Sequence, residues 1–165
     1  MGRKFQPARF GGATAPEHQS MVYTTGQTFK KGAVLIYDGV TGRVIEGGAD
    51  PTPIVGIATE HADSKPGFGV GHASQVVATT GRVEEVTVAK ANRNTVFSGR
   101  MVNGATDPVT PVQADVNKLY GLLKTGEDWV VDQADVTNTR VEITDFDADS
   151  RIVLFKFMEA HLAAP

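Results

Sequence analysis

The chain has 165 residues and contains no cysteine. A disulfide framework and a thiolate metal site are therefore excluded. Aromatic residues are also sparse, at 7% with one tryptophan and three tyrosines. The longest apolar run, at residues 32–37, is far shorter than the roughly 20 residues that a membrane span needs. We therefore expect no membrane partner, and the polar residues that follow the first positive charges predict no secretion signal.

The chain also lacks a basic excess, since its formal net charge is −3. Nucleic-acid binding needs a concentrated basic face, so we expect no nucleic-acid partner. The charge is distributed unevenly: residues 1–43 hold six basic and two acidic residues, whereas residues 126–165 hold three basic and nine acidic residues. This polarity favours head-to-tail docking or an acidic partner surface, although charge drift in exposed loops gives the same pattern.

The remaining composition is typical of a folded globular protein. Hydrophobic residues make up 41% and charged residues 21% of the chain. The 18 glycines are spaced between short apolar runs, which indicates many turns. The length suits one compact core with appendages.

The first 27 residues predict an extended N-terminal arm. They are rich in Gly, Pro, Gln, Thr and Ala and show no sustained period of 2 or 3.6 residues. Phe5, Phe10 and Tyr23 stand out in this stretch, because aromatic rings bury large areas when they find a pocket. We expect that pocket either on the chain's own domain, where the rings only close its core, or on a neighbouring molecule.

Residues 28–165 predict a single β domain. Asp38 and Gly39 follow an apolar run and precede a second one, which indicates a hairpin. Gly56 within residues 54–58 marks a bulge or a close backbone approach. Val86 and Val88 share one face of a predicted strand that has one wet side. The only candidate helix, residues 113–123, is weakened by the Gly and Pro residues in and beside it.

The C-terminal part carries the clearest strand patterns, at residues 129–131, 140–144 and 151–158. Both faces of the last segment are apolar, which predicts a central strand. About nine short strands at regular spacing predict an all-β fold, either a small β-barrel or a β-sandwich, with little helix.

No metal or calcium site is expected. The four histidines lack the spacing of a zinc site. Asp145, Asp147 and Asp149 imitate the opening of a calcium loop, but Ser150 and Lys156 stand where that loop needs Gly and Glu. We expect these aspartates to cap a hairpin through Asx-type turns.

No enzyme and no cofactor are expected either. The glycine-rich residues 67–71 lack the Lys-Ser/Thr of a phosphate loop and the third glycine of a dinucleotide fingerprint. No serine lies in a nucleophile elbow. Glu84 and Glu85 point to opposite faces of a predicted strand, which prevents them from acting as a carboxylate pair.

Several short motifs point to a family. They are residues 26–35, which lead into the first strand; the Asp38 hairpin; residues 53–58; and the closing strands from residue 120 onward. From about residue 22 the chain resembles the capsid decoration proteins of tailed bacteriophages, also called cement or head auxiliary proteins.

The resemblance implies a structural virion protein made in the host bacterial cytoplasm and placed on the outer capsid surface. Such a protein would be a homo-oligomer, a trimer or a dimer, and would bridge neighbouring major capsid proteins against internal DNA pressure. The N-terminal arm could then add a strand or an aromatic plug to a neighbour, and its basic residues could pair with an acidic capsid surface. The predicted partner-binding residues are Arg3, Lys4, Phe5, Arg9, Phe10 and Tyr23.

Two alternatives remain open from the sequence. One is another phage head or tail structural protein with a similar β fold. The other is a carbohydrate-binding β module that uses Trp129 and exposed tyrosines, although so few aromatic rings make a sparse sugar platform.

Overall fold

A computed structural model of the chain describes residues 5–8, 16–24, 26–62, 74–77, 81–104 and 107–164. Within these ranges the backbone is almost entirely β, with two single 3₁₀ turns at Gln113–Asp115 and Glu159–His161 and no α-helix. The strands are β1 (Gln6–Ala8), β2 (His18–Val22), β3 (Val34–Tyr37), β4 (Val44–Glu46), β5 (Ile54–Ala58), β6 (Ser74–Val77), β7 (Gly81–Lys90), β8 (Val96–Asn103), β9 (Asp107–Pro108), β10 (Leu119–Thr125), β11 (Asp128–Asp132), β12 (Val141–Asp147) and β13 (Ile152–Phe157). The expected all-β fold with little helix is confirmed. The candidate helix at residues 113–123 instead forms the first 3₁₀ turn and the start of β10.

The first half of the chain forms a sheet that closes on itself. Its strand order is β2-β7-β5-β3-β4, and β6 forms a hairpin with β7. Beyond the end of β2, Tyr23 pairs with Val44 of β4, and the Thr24 N–H donates to the Val44 carbonyl at 3.1 Å. This contact joins the two ends of the sheet. We call the five strands β2, β3, β4, β5 and β7 the first ring.

The second half forms another closed sheet. Its strands run in the order β8-β11-β10-β12-β13, and β13 returns to pair with β8. We call these five strands the second ring. β1 and β9 pair with β8 outside the ring. Ring closure matters because it gives the strands of a ring hydrogen-bonding neighbours on both sides along at least part of their length.

One hydrophobic cluster contains buried side chains from both rings. In β13, which lies between β12 and β8, Val153, Phe155 and Phe157 are buried, whereas Ile152 and Leu154 are partly exposed. The predicted central position of this strand is therefore confirmed. The two rings share a core rather than forming separate ones.

Polar side chains also connect the rings. The Trp129 indole N–H of β11 donates to Glu46 Oε1 of β4 at 3.0 Å, and Lys124 Nζ lies 2.8 Å from Glu46 Oε2. The Arg140 guanidinium donates to the carbonyls of Asp50 and Pro51 at 3.1 and 3.2 Å. These partners are more than 75 residues apart in the sequence, so the contacts hold the two halves together over a long chain separation.

Aspartates form two turns as the sequence predicts. In the hairpin between β3 and β4, Asp38 Oδ1 accepts the Val40 N–H at 3.0 Å, and this bond lowers the pKa of Asp38. After β12, Asp147 Oδ1 accepts the N–H groups of Asp149 and Ser150 at 3.1 and 3.2 Å. Both are Asx-type turns, and the second occupies the segment that imitates a calcium loop.

Two glycines allow close packing. A Cβ on Gly56 would overlap the carbonyl oxygen of Ala89 in β7, which confirms the predicted close approach. A Cβ on Gly99 would overlap the ring of Phe5, which lies across β8. Gly99 leaves room for this ring, and β8 runs through Gly99 as one strand.

The described residues of the predicted arm are extended and join both sheets. β1 pairs with β8, and β2 pairs with β7. Strands from both sides of residue 27, β2 and β3, belong to the first ring. A separate role for residues 1–27 towards a partner stays a prediction.

Replacing Gly99 by Ala should destabilise the protein. The added methyl group would have to displace the Phe5 ring, which is buried and packs against Phe155. We expect the free energy of unfolding to fall by about 1–3 kcal/mol, as for other overpacked cores. Urea denaturation followed by tryptophan fluorescence measures this change.

The control is Gly39→Ala, because a Cβ at that exposed hairpin position meets no atom within 4 Å. Its effect should stay within about 0.5 kcal/mol. Equal stabilities for the two variants would contradict the packing of Phe5 over Gly99.

Candidate partner-binding surface

Two of the predicted partner-binding residues lie in the described part of the chain, and both are buried. Phe5 and Tyr23 are each 1% exposed. The Phe5 ring centroid lies 5.0 Å from that of Phe155, and the Tyr23 ring centroid lies 5.5 Å from that of Phe29. The aromatic side chains of Phe5 and Tyr23 therefore pack in the core of their own chain, where neither is accessible to a neighbouring molecule.

The other predicted partner-binding residues, Arg3, Lys4, Arg9 and Phe10, lie outside the described residues. Because the side chains of Phe5 and Tyr23 are buried in the core, the described part of the N-terminal region can offer a partner mainly its backbone and its polar side chains. β1 and β2 each lie at an end of their sheet's strand order, and no strand within the described ranges pairs with the outer side of either. The N-terminal region thus contributes an edge strand to each sheet.

The direction of the backbone groups of β2 follows from its pairing with β7. The Lys90 N–H donates to the Glu17 carbonyl at 2.8 Å, which places the backbone groups of Glu17 on the β7 side. Backbone groups alternate in direction along a strand. The backbone groups of Gln19 and Met21 therefore also face β7.

By the same alternation, the N–H and C=O groups of His18 and Ser20 point away from β7. Thr24 has the same parity, and its N–H is bonded on that outer side to Val44 of β4. The sheet is thus closed beyond Tyr23, and along residues 18–20 no strand in the described part of the chain pairs with the outer side of β2. A strand from another molecule can add at such an open edge.

The side chains on this edge are polar and accessible. His18, Gln19 and Ser20 are all exposed. The Ser20 hydroxyl donates to Glu85 Oε2 of β7 at 3.0 Å. A short edge with polar side chains resists non-specific aggregation while leaving its main chain open to a matched partner.

Part of the uneven charge of the chain is used internally. Lys30, from the basic N-terminal part, forms an ion pair with Glu127, from the acidic C-terminal part. Lys31 and Arg43 are exposed. The opposite charges of the two halves therefore help to join the two rings, which is a use that the sequence alone did not indicate.

A buried polar network is a further feature that the sequence analysis missed. Asp115 is 4% exposed and accepts hydrogen bonds from the Val112 N–H (2.9 Å), the Tyr120 hydroxyl (2.7 Å) and the Gln133 amide (2.8 Å). Burial raises the pKa of Asp115, but these hydrogen bonds outweigh it and lower the pKa below its ordinary value. Burial and the bond to Asp115 raise the pKa of Tyr120 to about 12.

This network holds the first 3₁₀ turn against β10. Both carboxylate oxygens of Asp115 have protein donors, which is the arrangement of a structural site rather than a reactive one. Sequence spacing gave no signal for it, because a lone Asp in a loop resembles any turn residue.

Among the described residues, no group of three or more His, Asp or Glu side chains is placed to hold a metal ion, and His72 lies outside these residues. No helix in the described ranges is long and apolar enough to cross a membrane. Comparisons with protein families, with curated proteins and with solved structures found no match.

The Asp115 network predicts a pH-dependent contribution to stability. Because its folded-state pKa lies below the ordinary value of 3.8, the carboxylate stabilises the fold above that pH, and this stabilisation is lost as the pH falls through the folded-state pKa. Asp115→Asn should lower the free energy of unfolding by about 1.5–3 kcal/mol near neutral pH. The difference from the wild type should shrink in acid, and urea denaturation at a series of pH values measures it.

Glu142→Gln is the matched control, since it removes an exposed carboxylate from β12. It should change stability little at any pH. A wild-type advantage over Asp115→Asn that stays constant down to strongly acidic pH would disprove the proposed linkage.

Proposed function

We propose that this chain is a structural virion protein that binds the outside of a phage capsid and cements neighbouring major capsid proteins. The observation that carries the proposal is that the N-terminal region supplies an edge strand to each of the two sheets. The open edge at residues 18–20 suits main-chain pairing with a strand of the major capsid protein or of a second copy of the chain. The role needs no reactive centre.

The two-ring body suits a load-bearing role. Both sheets close, and Glu46, Trp129 and Arg140 connect them through hydrogen bonds and an ion pair. A rigid support lowers the entropic cost of docking, because little of the binding surface has to be ordered at the moment of contact. The resemblance of the sequence to decoration proteins points to the same role.

Attachment to a lattice does not require a strong single contact. A short strand pairing gives modest affinity, but a homo-oligomer that engages several capsid subunits at once gains avidity from the second and third contacts. Arg3, Lys4 and Arg9 would add ion pairs to an acidic capsid surface, each of small value when exposed. We therefore assign most of the binding energy to main-chain pairing at the edge strands.

The alternative of a carbohydrate-binding module relied mainly on Trp129. Trp129 is 1% exposed and its indole N–H is bonded to Glu46, so its ring cannot serve as a sugar platform. The other alternative is a different phage head or tail protein. Comparing the binding of the chain to isolated heads with its binding to isolated tails separates a head role from a tail role.

Deleting the first 20 residues is not a clean test of this proposal. The deletion removes Phe5 from the core and most of β2 from the first ring. Loss of a buried Phe side chain alone costs roughly 3–5 kcal/mol, so lost binding could reflect lost folding.

Ser20→Pro tests the open edge more directly. The Ser20 N–H faces away from β7, so proline removes a donor that only a partner would use, and proline is tolerated on the outer side of edge strands. We expect the variant to fold and its affinity for phage heads that lack the decoration protein to fall about tenfold or more, because avidity multiplies each lost contact. Co-sedimentation with such heads measures occupancy.

Ser20→Ala is the matched control. It removes the hydroxyl that bonds Glu85 but keeps the backbone N–H, so occupancy should match the wild type. Wild-type occupancy by Ser20→Pro would refute pairing at this edge, and failure of the wild-type chain to bind heads would refute the proposed function itself.

A further inference from the structure

We propose that a cleft at the junction of the two rings binds a neutral oligosaccharide, with Tyr37 of β3 as the stacking platform. The cleft has a volume of about 440 Å³, within the range of roughly 300–1,000 Å³ of small-molecule sites. It is formed where the end of β3, the β7–β8 connection and the C-terminal segment meet. This inference does not depend on capsid attachment.

The floor of the cleft is apolar, small and fixed in place. It contains Val55, Ala91 and Ala163. The Ala91 N–H donates to the Val55 carbonyl at 2.9 Å, and the Ala163 N–H donates to the Ile54 carbonyl at 2.8 Å. The β7–β8 connection and the C-terminal segment are thus both hydrogen-bonded to β5.

The walls are also preformed. Asn92 Oδ1 accepts the N–H groups of Asn94 and Thr95 at 2.8 and 3.0 Å, which orients the amide of Asn92 and leaves its NH₂ group as a donor. The Lys90 N–H holds the Glu17 carbonyl, which fixes the position of Glu17 on the rim. A preformed site pays little ordering entropy when it binds.

Tyr37 supplies the aromatic surface. It is 36% exposed, whereas Tyr23 and Tyr120 are buried, so it is the accessible tyrosine among the three in the chain. No partner for its hydroxyl occurs in the described part of the chain. An aromatic ring with a free polar tip can stack on the apolar face of a sugar and bond one of its hydroxyls.

The charges of the cleft favour a neutral ligand. Lys90 and Arg93 are opposed by Glu17 and Glu159, and Arg93 Nη2 lies 4.0 Å from Glu159 Oε1. A phosphate or a strongly acidic ligand would meet two carboxylates, and a cationic ligand would meet two basic groups. Sugar hydroxyls both donate and accept, so they can use every one of these groups.

The test is a titration of the full chain with maltotriose, cellotriose and triacetylchitotriose, followed by amide chemical shifts in NMR spectra. At least one of these neutral sugars should bind and shift the amides of Ala91, Asn92 and Ala163. Tyr37→Ala should weaken that binding about tenfold, and Tyr37→Phe should keep it within about twofold, since the ring remains. Leu119→Ala, an exposed position on β10, is the control for a surface truncation and should bind as the wild type does.

Absence of shifts with all three sugars would overturn the proposal, as would shifts confined to other parts of the chain or unchanged binding by Tyr37→Ala. Preferential binding of inorganic phosphate at the same amides would also overturn it. A chain that occupies phage heads but binds no sugar refutes this inference alone, and a chain that binds sugar but no heads refutes the proposed function alone.

Discussion

The structure depends on how its sheets end. The outer strands of an open sheet carry backbone N–H and C=O groups without partners, and a protein must pair them, cover them or leave them to a binding partner. Here each half of the chain closes its sheet, through Tyr23 and Val44 in the first ring and through β13 and β8 in the second. The N-terminal strands β1 and β2 remain at the ends of the strand order, so the N-terminal region contributes an edge strand to each sheet.

The two rings act as one support because charged and polar groups connect them. Glu46 accepts from Trp129 and pairs with Lys124, so its half-buried carboxylate has both a neutral donor and a cation as partners. Arg140 satisfies carbonyls of the loop before β5. The shared hydrophobic cluster supplies most of the stability, whereas these directional contacts set how the rings meet.

Local patterns predicted much of the fold. Period-2 alternation located β13 and the buried face of β7, and the Asp-Gly and Asp-rich turns formed as expected because their hydrogen bonds span only two or three residues. Ring closure, the Glu46–Trp129 contact and the burial of Phe5 over Gly99 had no local signal, since each joins residues tens of positions apart. For the candidate site the sequence indicated the N-terminal region, but the six side chains predicted to bind a partner do not include residues 18–20. The usable groups of the site are backbone atoms of β2, which a search for aromatic and basic side chains does not reveal.

The most direct test of the central claim is a cryo-EM reconstruction of phage heads decorated with this chain. We expect residues 18–20 to lie against the major capsid protein or a second copy of the chain, with main-chain density continuous across the β2 edge. A reconstruction in which this edge and the preceding N-terminal residues face solvent and contact nothing would contradict the proposal that the chain works through its edge strands.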